Sequence, residues 1–106
     1  MRGYPKLKLD VKGHEWTVAI LPKWRFERRF GASNLAFCDT EKRTLFFSKP
    51  SLTEEVLLHE MVHAYLSESC VDSAELTQKQ TEEVAADLFS KYGARMIAQA
   101  RELLSE

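Results

Sequence analysis

The chain has no apolar run of membrane-spanning length; its longest uninterrupted stretches are short ones such as residues 18–21 and 56–58. It lacks repeats and low-complexity tracts, and no hydrophobic stretch of the secretory kind follows its charged opening residues. A cytoplasmic location is the expectation. Cysteine is scarce: Cys38 and Cys70 are the whole supply. They could pair, but without an export signal two reduced thiols are expected. Apolar residues at 44% and charged residues at 29% exclude the disordered and fibrous classes. A length of 106 residues is enough for one core and too short for two, so a single domain over residues 1–106 is expected.

The net charge of −1 conceals an uneven distribution, because residues 1–50 carry a net +6 and residues 51–106 a net −7. The reading preferred here is mutual attraction within one domain rather than a nucleic-acid footprint, and neither nucleic acid nor membrane is expected as a partner.

Residues 6–11 alternate lysine and aspartate with leucine and valine, and residues 17–21 are β-branched and apolar, with Lys12, Gly13, His14 and Glu15 as turn material between them. A hairpin follows. In residues 22–34, Trp24, Phe26 and Phe30 are interleaved with Lys23, Arg25, Arg28 and Arg29, which fits a short helix or an aromatic-anchored loop. Residues 35–39 and 43–48 are two further strand-like runs separated by a connection of hairpin length. The expected sheet has four strands and is largely antiparallel.

After Pro50 the apolar period changes to three or four. Ser51 and Glu54 have capping-box spacing, so a helix is expected over residues 52–67, apolar on two sides and therefore central. Residues 68–76 have no helical period and read as a connection, with Thr77 as the next N-cap. Apolar residues then keep helical spacing from Val84 to Leu104 across Gly93, which marks a kink or the join of two collinear helices. The fold class is α+β: a small antiparallel sheet packed on a central helix, plus a long C-terminal helix.

That central helix carries Leu58-His59-Glu60-Met61-Val62-His63, an H-E-x-x-H string. Residues four apart stand one above the other on a helix, so His59 and His63 present two imidazoles to one point, as tetrahedral zinc requires. Glu60 lies a step round the helix, placed to act as a general base on water rather than as a ligand. A chance match in a chain of this size is expected on the order of a few times in a thousand. Two histidines and a glutamate are also expensive to bury on an apolar helix without a partner.

A catalytic zinc needs a third protein ligand and an open position. Glu83 follows His63 by twenty residues, and Asp87 stands one turn later on the same helix face. This order, H-E-x-x-H and then E-x-x-x-D on a later helix, resembles the gluzincin pattern of thermolysin. The resemblance implies one zinc per chain, with metal ligands His59, His63 and Glu83, and with Asp87 hydrogen-bonded to His59. Glu82 is the rival ligand, about 100° round the helix and without an acidic residue four positions on. Cys70 is a further candidate, for a closed structural site.

A longer stretch, running from Arg43-Thr-Leu-Phe-Phe-Ser48 through the H-E-x-x-H helix to Thr81-Glu-Glu-Val-Ala-Ala-Asp-Leu-Phe89, resembles the small ImmA/IrrE-type metallopeptidases and related phage-encoded predicted metallopeptidases. It implies a minimal zincin-like fold, a zinc metallopeptidase activity with Glu60 as the catalytic residue, and a protein or peptide substrate such as a regulator. In zincins the strand nearest the active-site helix pairs with extended substrate, which by resemblance falls on residues 45–48; a fully paired inner strand is the alternative. Tyr65, Tyr92 and His14 are the candidates for an oxyanion donor. The rival to an enzyme is a zinc-stabilised module that binds a regulatory partner without cutting it.

Overall fold

A computed structural model describes residues 4–69 and 77–105, in the order β1 (Lys6–Val11), β2 (His14–Leu21), α1 (Lys23–Phe30), β3 (Ala36–Asp39), β4 (Thr44–Ser48), a 3-10 turn (Lys49–Ser51), α2 (Glu54–Glu68) and α3 (Gln78–Leu104). The α+β class expected from the pattern is what forms. None of these helices is long and apolar enough to cross a membrane. The expected connection over residues 68–76 falls largely outside the described residues; Glu68 itself is the last residue of α2.

The two expected hairpins form, β1 with β2 and β3 with β4. The first turns on Lys12 (φ 53°) and Gly13 (φ 87°), two consecutive left-handed residues of the kind that a two-residue hairpin needs. The sheet order is β1-β2-β4-β3, and its central pair, β2 with β4, is parallel. The sheet is therefore mixed. The reason lies in where the second hairpin begins: β3 starts level with the end of β2, Ala36 and Ile20 both facing Phe47, and runs back antiparallel to it one position further out, so that β4 returns between them in the direction of β2.

Alternation sends the two faces of the sheet to different layers. Leu9, Val11, Trp16, Val18, Leu45 and Phe47 meet Leu57, Met61, Ala64 and Tyr65 of α2 in the main core, which α3 completes with Leu88, Met96, Ala100 and Leu103. Ala19, Leu21 and Phe46 point the other way and are covered by Phe26 of α1. The aromatic segment around Trp24 is thus a helix with one anchor, and Trp24 itself is exposed. Phe89, placed by its spacing on the apolar stripe of α3, is likewise exposed; its ring lies over the buried Gly93, and the helix runs unbroken through that residue.

Thr53, not Ser51, caps α2: its Oγ1 accepts from Val56 N at 3.2 Å, while Ser51 is used in the 3-10 turn that Pro50 opens. At the start of α3 the expected cap holds, Thr77 and Gln80 forming a reciprocal capping box.

The far end of α2 is pinned by one carboxylate. Glu68, with a side chain 8% exposed, accepts from Trp16 Nε1 and from Arg43 Nε at 2.7 Å, and His14 Nε2 lies 3.7 Å away. Burial opposes its ionisation, but the Arg43 and Trp16 hydrogen bonds and the Arg43 and His14 charges outweigh that and hold it below the usual glutamate value. A depressed carboxyl contributes stability above the unfolded-state pKa, about 4.3, and loses it as pH falls through the folded value. Denaturant melts of Glu68→Gln are expected to show a shallower loss of stability below about pH 4.5 than wild type. Glu68→Ala, which strands the fully buried Trp16 indole N–H, should cost about 1–3 kcal/mol at neutral pH.

Candidate metal centre

The side of α2 that faces the sheet is set by Leu57, Met61, Ala64 and Tyr65. His59 and His63 fall on the opposite side and are exposed. Their ring centroids are 5.1 Å apart with planes at 71°, and Glu60 Oε2 lies 3.9 Å from His59 Nε2. Among the described residues, His59, Glu60 and His63 are the group whose ligating atoms could share an ion, all within 4.8 Å of one another. Two nitrogens on a tetrahedral zinc at about 2.0–2.1 Å stand roughly 3.4 Å apart, so modest rotation of the imidazoles suffices and the donor set fits.

Unlike the histidines, Glu60 is largely withdrawn from solvent, its side chain 12% exposed. It forms part of a cleft of ≈ 300 Å³ between α2 and the outer strand, lined by Leu35, Ala36, Glu55, Val56, His59 and Glu60. The strand at this cleft is β3, at the edge of the sheet, and not residues 45–48. Those lie in β4, which is hydrogen-bonded on both sides, to β2 and to β3. The expectation of an edge at 45–48 is corrected for a simple reason: the parallel pairing with β2 puts β4 inside and leaves β3 open on its far side.

Cys38, on β3, is a neighbour of the site that spacing in the sequence did not reveal. Burial, then the negative charge of Glu60 and that of Asp39, push its thiol up to about 11. It is free, and its pairing with Cys70 lies outside the described residues. Only the fold of β3 under α2 brings Cys38 towards Glu60.

Glu83 and Asp87 do not join the histidines. With Lys12, Leu66, Lys91 and Tyr92 they line a separate and larger cavity of ≈ 510 Å³, near the end of α2. Asp87 pairs with Lys91 at 3.3 Å, one turn along its own helix, and not with His59. Glu82 and Glu83 are both exposed. The cause is the direction of α3, which runs antiparallel to α2. Arg101 pairs with Glu54 at the start of α2, and Tyr92 packs on Tyr65 near its end. Glu83 therefore lies nine residues before the Tyr92 level, about 13 Å along the helix. The oxyanion candidates are also elsewhere. Tyr65 is buried and donates to Gln99 at 2.7 Å, Tyr92 lines the larger cavity, and His14 faces Glu68.

Among known proteins, no family model matches the chain, and neither a curated protein nor a solved structure matches it. The chemistry of the site is therefore read from its own residues.

In metal-free protein at pH 8, alkylation of Cys38 by iodoacetamide, followed by mass spectrometry of its peptide, should run about a hundredfold slower than that of a thiol at 9.0, and faster in Glu60→Gln, which removes one of the charges that hold the proton.

Proposed function

We propose that the chain is a zinc-dependent metallopeptidase, with His59 and His63 as metal ligands and Glu60 as general base. The observation that carries this reading is the convergence of the two imidazoles with a carboxylate that is partly withdrawn beside a cleft. A zinc ion held by this pair would supply Lewis-acid polarisation of a carbonyl and activation of water. Glu60, 3.9 Å from His59 Nε2, would take a proton from the attacking water and return it to the leaving amine. An extended peptide would add to the open side of β3, with Leu35 and Val56 as an apolar wall of the cleft. The substrate class, a protein or peptide and a regulator among them, rests on the resemblance to the small zincins.

Glu83 is the third ligand in this reading. Its carboxylate makes no ion pair among the described residues, but it lies apart from the histidines, so the assignment rests on the resemblance to the gluzincin pattern.

One observation favours a second reading. A Glu60 oxygen lies within 4.8 Å of a ring nitrogen of each histidine, and as a third ligand it would make a closed site with no free base, suited to a zinc-stabilised module that binds a partner.

Zinc stoichiometry and casein hydrolysis, measured on untagged wild type, Glu60→Gln and Glu83→Ala, separate the two. The enzyme reading expects about one zinc per chain, Glu60→Gln retaining it while turnover falls by about 10²–10⁴-fold, and Glu83→Ala binding zinc at least about tenfold more weakly. Zinc lost in Glu60→Gln and retained in Glu83→Ala would establish the closed site. Wild type that takes up no zinc would overturn both.

A further inference from the structure

The sheet face turned away from α2 is only partly covered. α1 closes over Ala19, Leu21 and Phe46 and leaves open the portion nearer β1, a basin of ≈ 330 Å³. Four cations reach it, Lys6, Lys8, Arg29 and Lys42, and no acidic side chain lines it. Among the described residues Lys6, Arg29 and Lys42 make no ion pair; Lys8 approaches Glu15 at 3.9 Å, but both side chains are well exposed, where such a pair is weak. Such a concentration of like charge, with that weak pair as its one counter-ion among the described residues, suits an anionic partner.

The half-buried ring of Tyr4 bounds the basin, and Phe46, buried beneath it, carries the exposed Arg29 guanidinium over its ring. Lys6 Nζ stands 5.2 Å from the centroid of Tyr4, and the Arg29 guanidinium 4.6 Å from that of Phe46. Rings and guanidinium planes beside lysines offer both interactions that a single strand needs, stacking for bases and charge for phosphates. Lys6 and Lys8 project from the same face of β1 about 6.8 Å apart along it, so these two cations follow the line of the strand. A flat face carrying such a line suits an unpaired chain more than a duplex, whose bases are stacked out of reach. An acidic peptide would satisfy the charges and leave the Tyr4 ring and the Arg29 guanidinium plane unused.

We infer that this basin binds single-stranded nucleic acid through phosphate contacts from Lys6, Lys8 and Lys42, with Tyr4 and the Arg29 guanidinium beside the bases. It lies on the side of the sheet opposite His59 and His63 and is independent of any metal bound there. The sequence alone favoured internal neutralisation of the basic half; in the fold, the acidic α2 and α3 layer lies across the sheet from these cations and leaves them uncompensated.

The test is fluorescence anisotropy of a labelled oligothymidylate with the full chain, between 50 and 200 mM salt. Wild type should bind with a dissociation constant below about 100 µM and a steep salt dependence, and Lys6→Gln with Lys42→Gln should weaken binding about tenfold and flatten the log–log salt slope by about 1.4. Lys91→Gln, on the α3 side, should change neither. Both altered lysines are exposed, and unchanged circular dichroism melts would confirm that the fold is intact. No binding at the lowest salt, unchanged binding by the double variant, or equal competition by duplex DNA or polyglutamate would each overturn the assignment.

Discussion

Trp16 is fully buried, and its indole N–H needs an acceptor that the surrounding leucines, valines and phenylalanines do not offer. Glu68 provides it from the last turn of α2, and Arg43 and His14 balance the charge that this brings inside. One carboxylate thus joins the first hairpin, the start of β4 and the end of the central helix. Since a helix is a rigid body, fixing its end also fixes its rotation. With Leu57, Met61, Ala64 and Tyr65 turned to the sheet, His59 and His63 have no direction left but outward, and Glu60 falls between, at the margin of β3.

The second constraint is the antiparallel run of α3. Arg95 and Gln99 reach Asp10 of β1, the former by its guanidinium and the latter to the backbone oxygen at 2.7 Å, so the last half of α3 is tied to the sheet edge as well as to α2. Its first half carries the acidic residues and leans on α2 through Leu66 and Leu88 around a cavity. Helix α3 is therefore anchored at one end, and the distance between Glu83 and the histidines is set at the other. Motif spacing identifies Glu83 and Asp87 as a pair on one face, which they are, without fixing where that face stands relative to another helix.

The two faces of the sheet have divided the charge. Alternation put Lys6 and Lys8 of β1 on one side of the sheet, with Asp10 and Glu15 at the hairpin end, and leucine, valine and tryptophan on the other, and α1 added arginines to the lysine side. The short α1 covers only part of that face. Its Phe26, Phe30 and the Phe46 beneath them form a compact aromatic cluster, with centroids 4.8 and 5.2 Å apart, so its arginines are left to lie over rings and face solvent.

By itself the sequence determined what depends on neighbours along the chain. Strand alternation, a turn after Val11, which the structure narrows from residues 12–15 to Lys12 and Gly13, the Thr77 cap and the pairing of His59 with His63 on one helix face are all local, fixed by backbone sterics and helical pitch within a few residues. Tertiary structure decided the rest, because it depends on how rigid elements dock. The parallel placement of β4 made β3 the open edge, the register of α3 on α2 set Glu83 apart from the histidines, the fold of β3 beneath α2 brought Cys38 to Glu60, and the partial cover of α1 left a line of lysines free. None of these follows from periodicity, since each arises from residues far apart in sequence whose packing is chosen by the shape of the whole core.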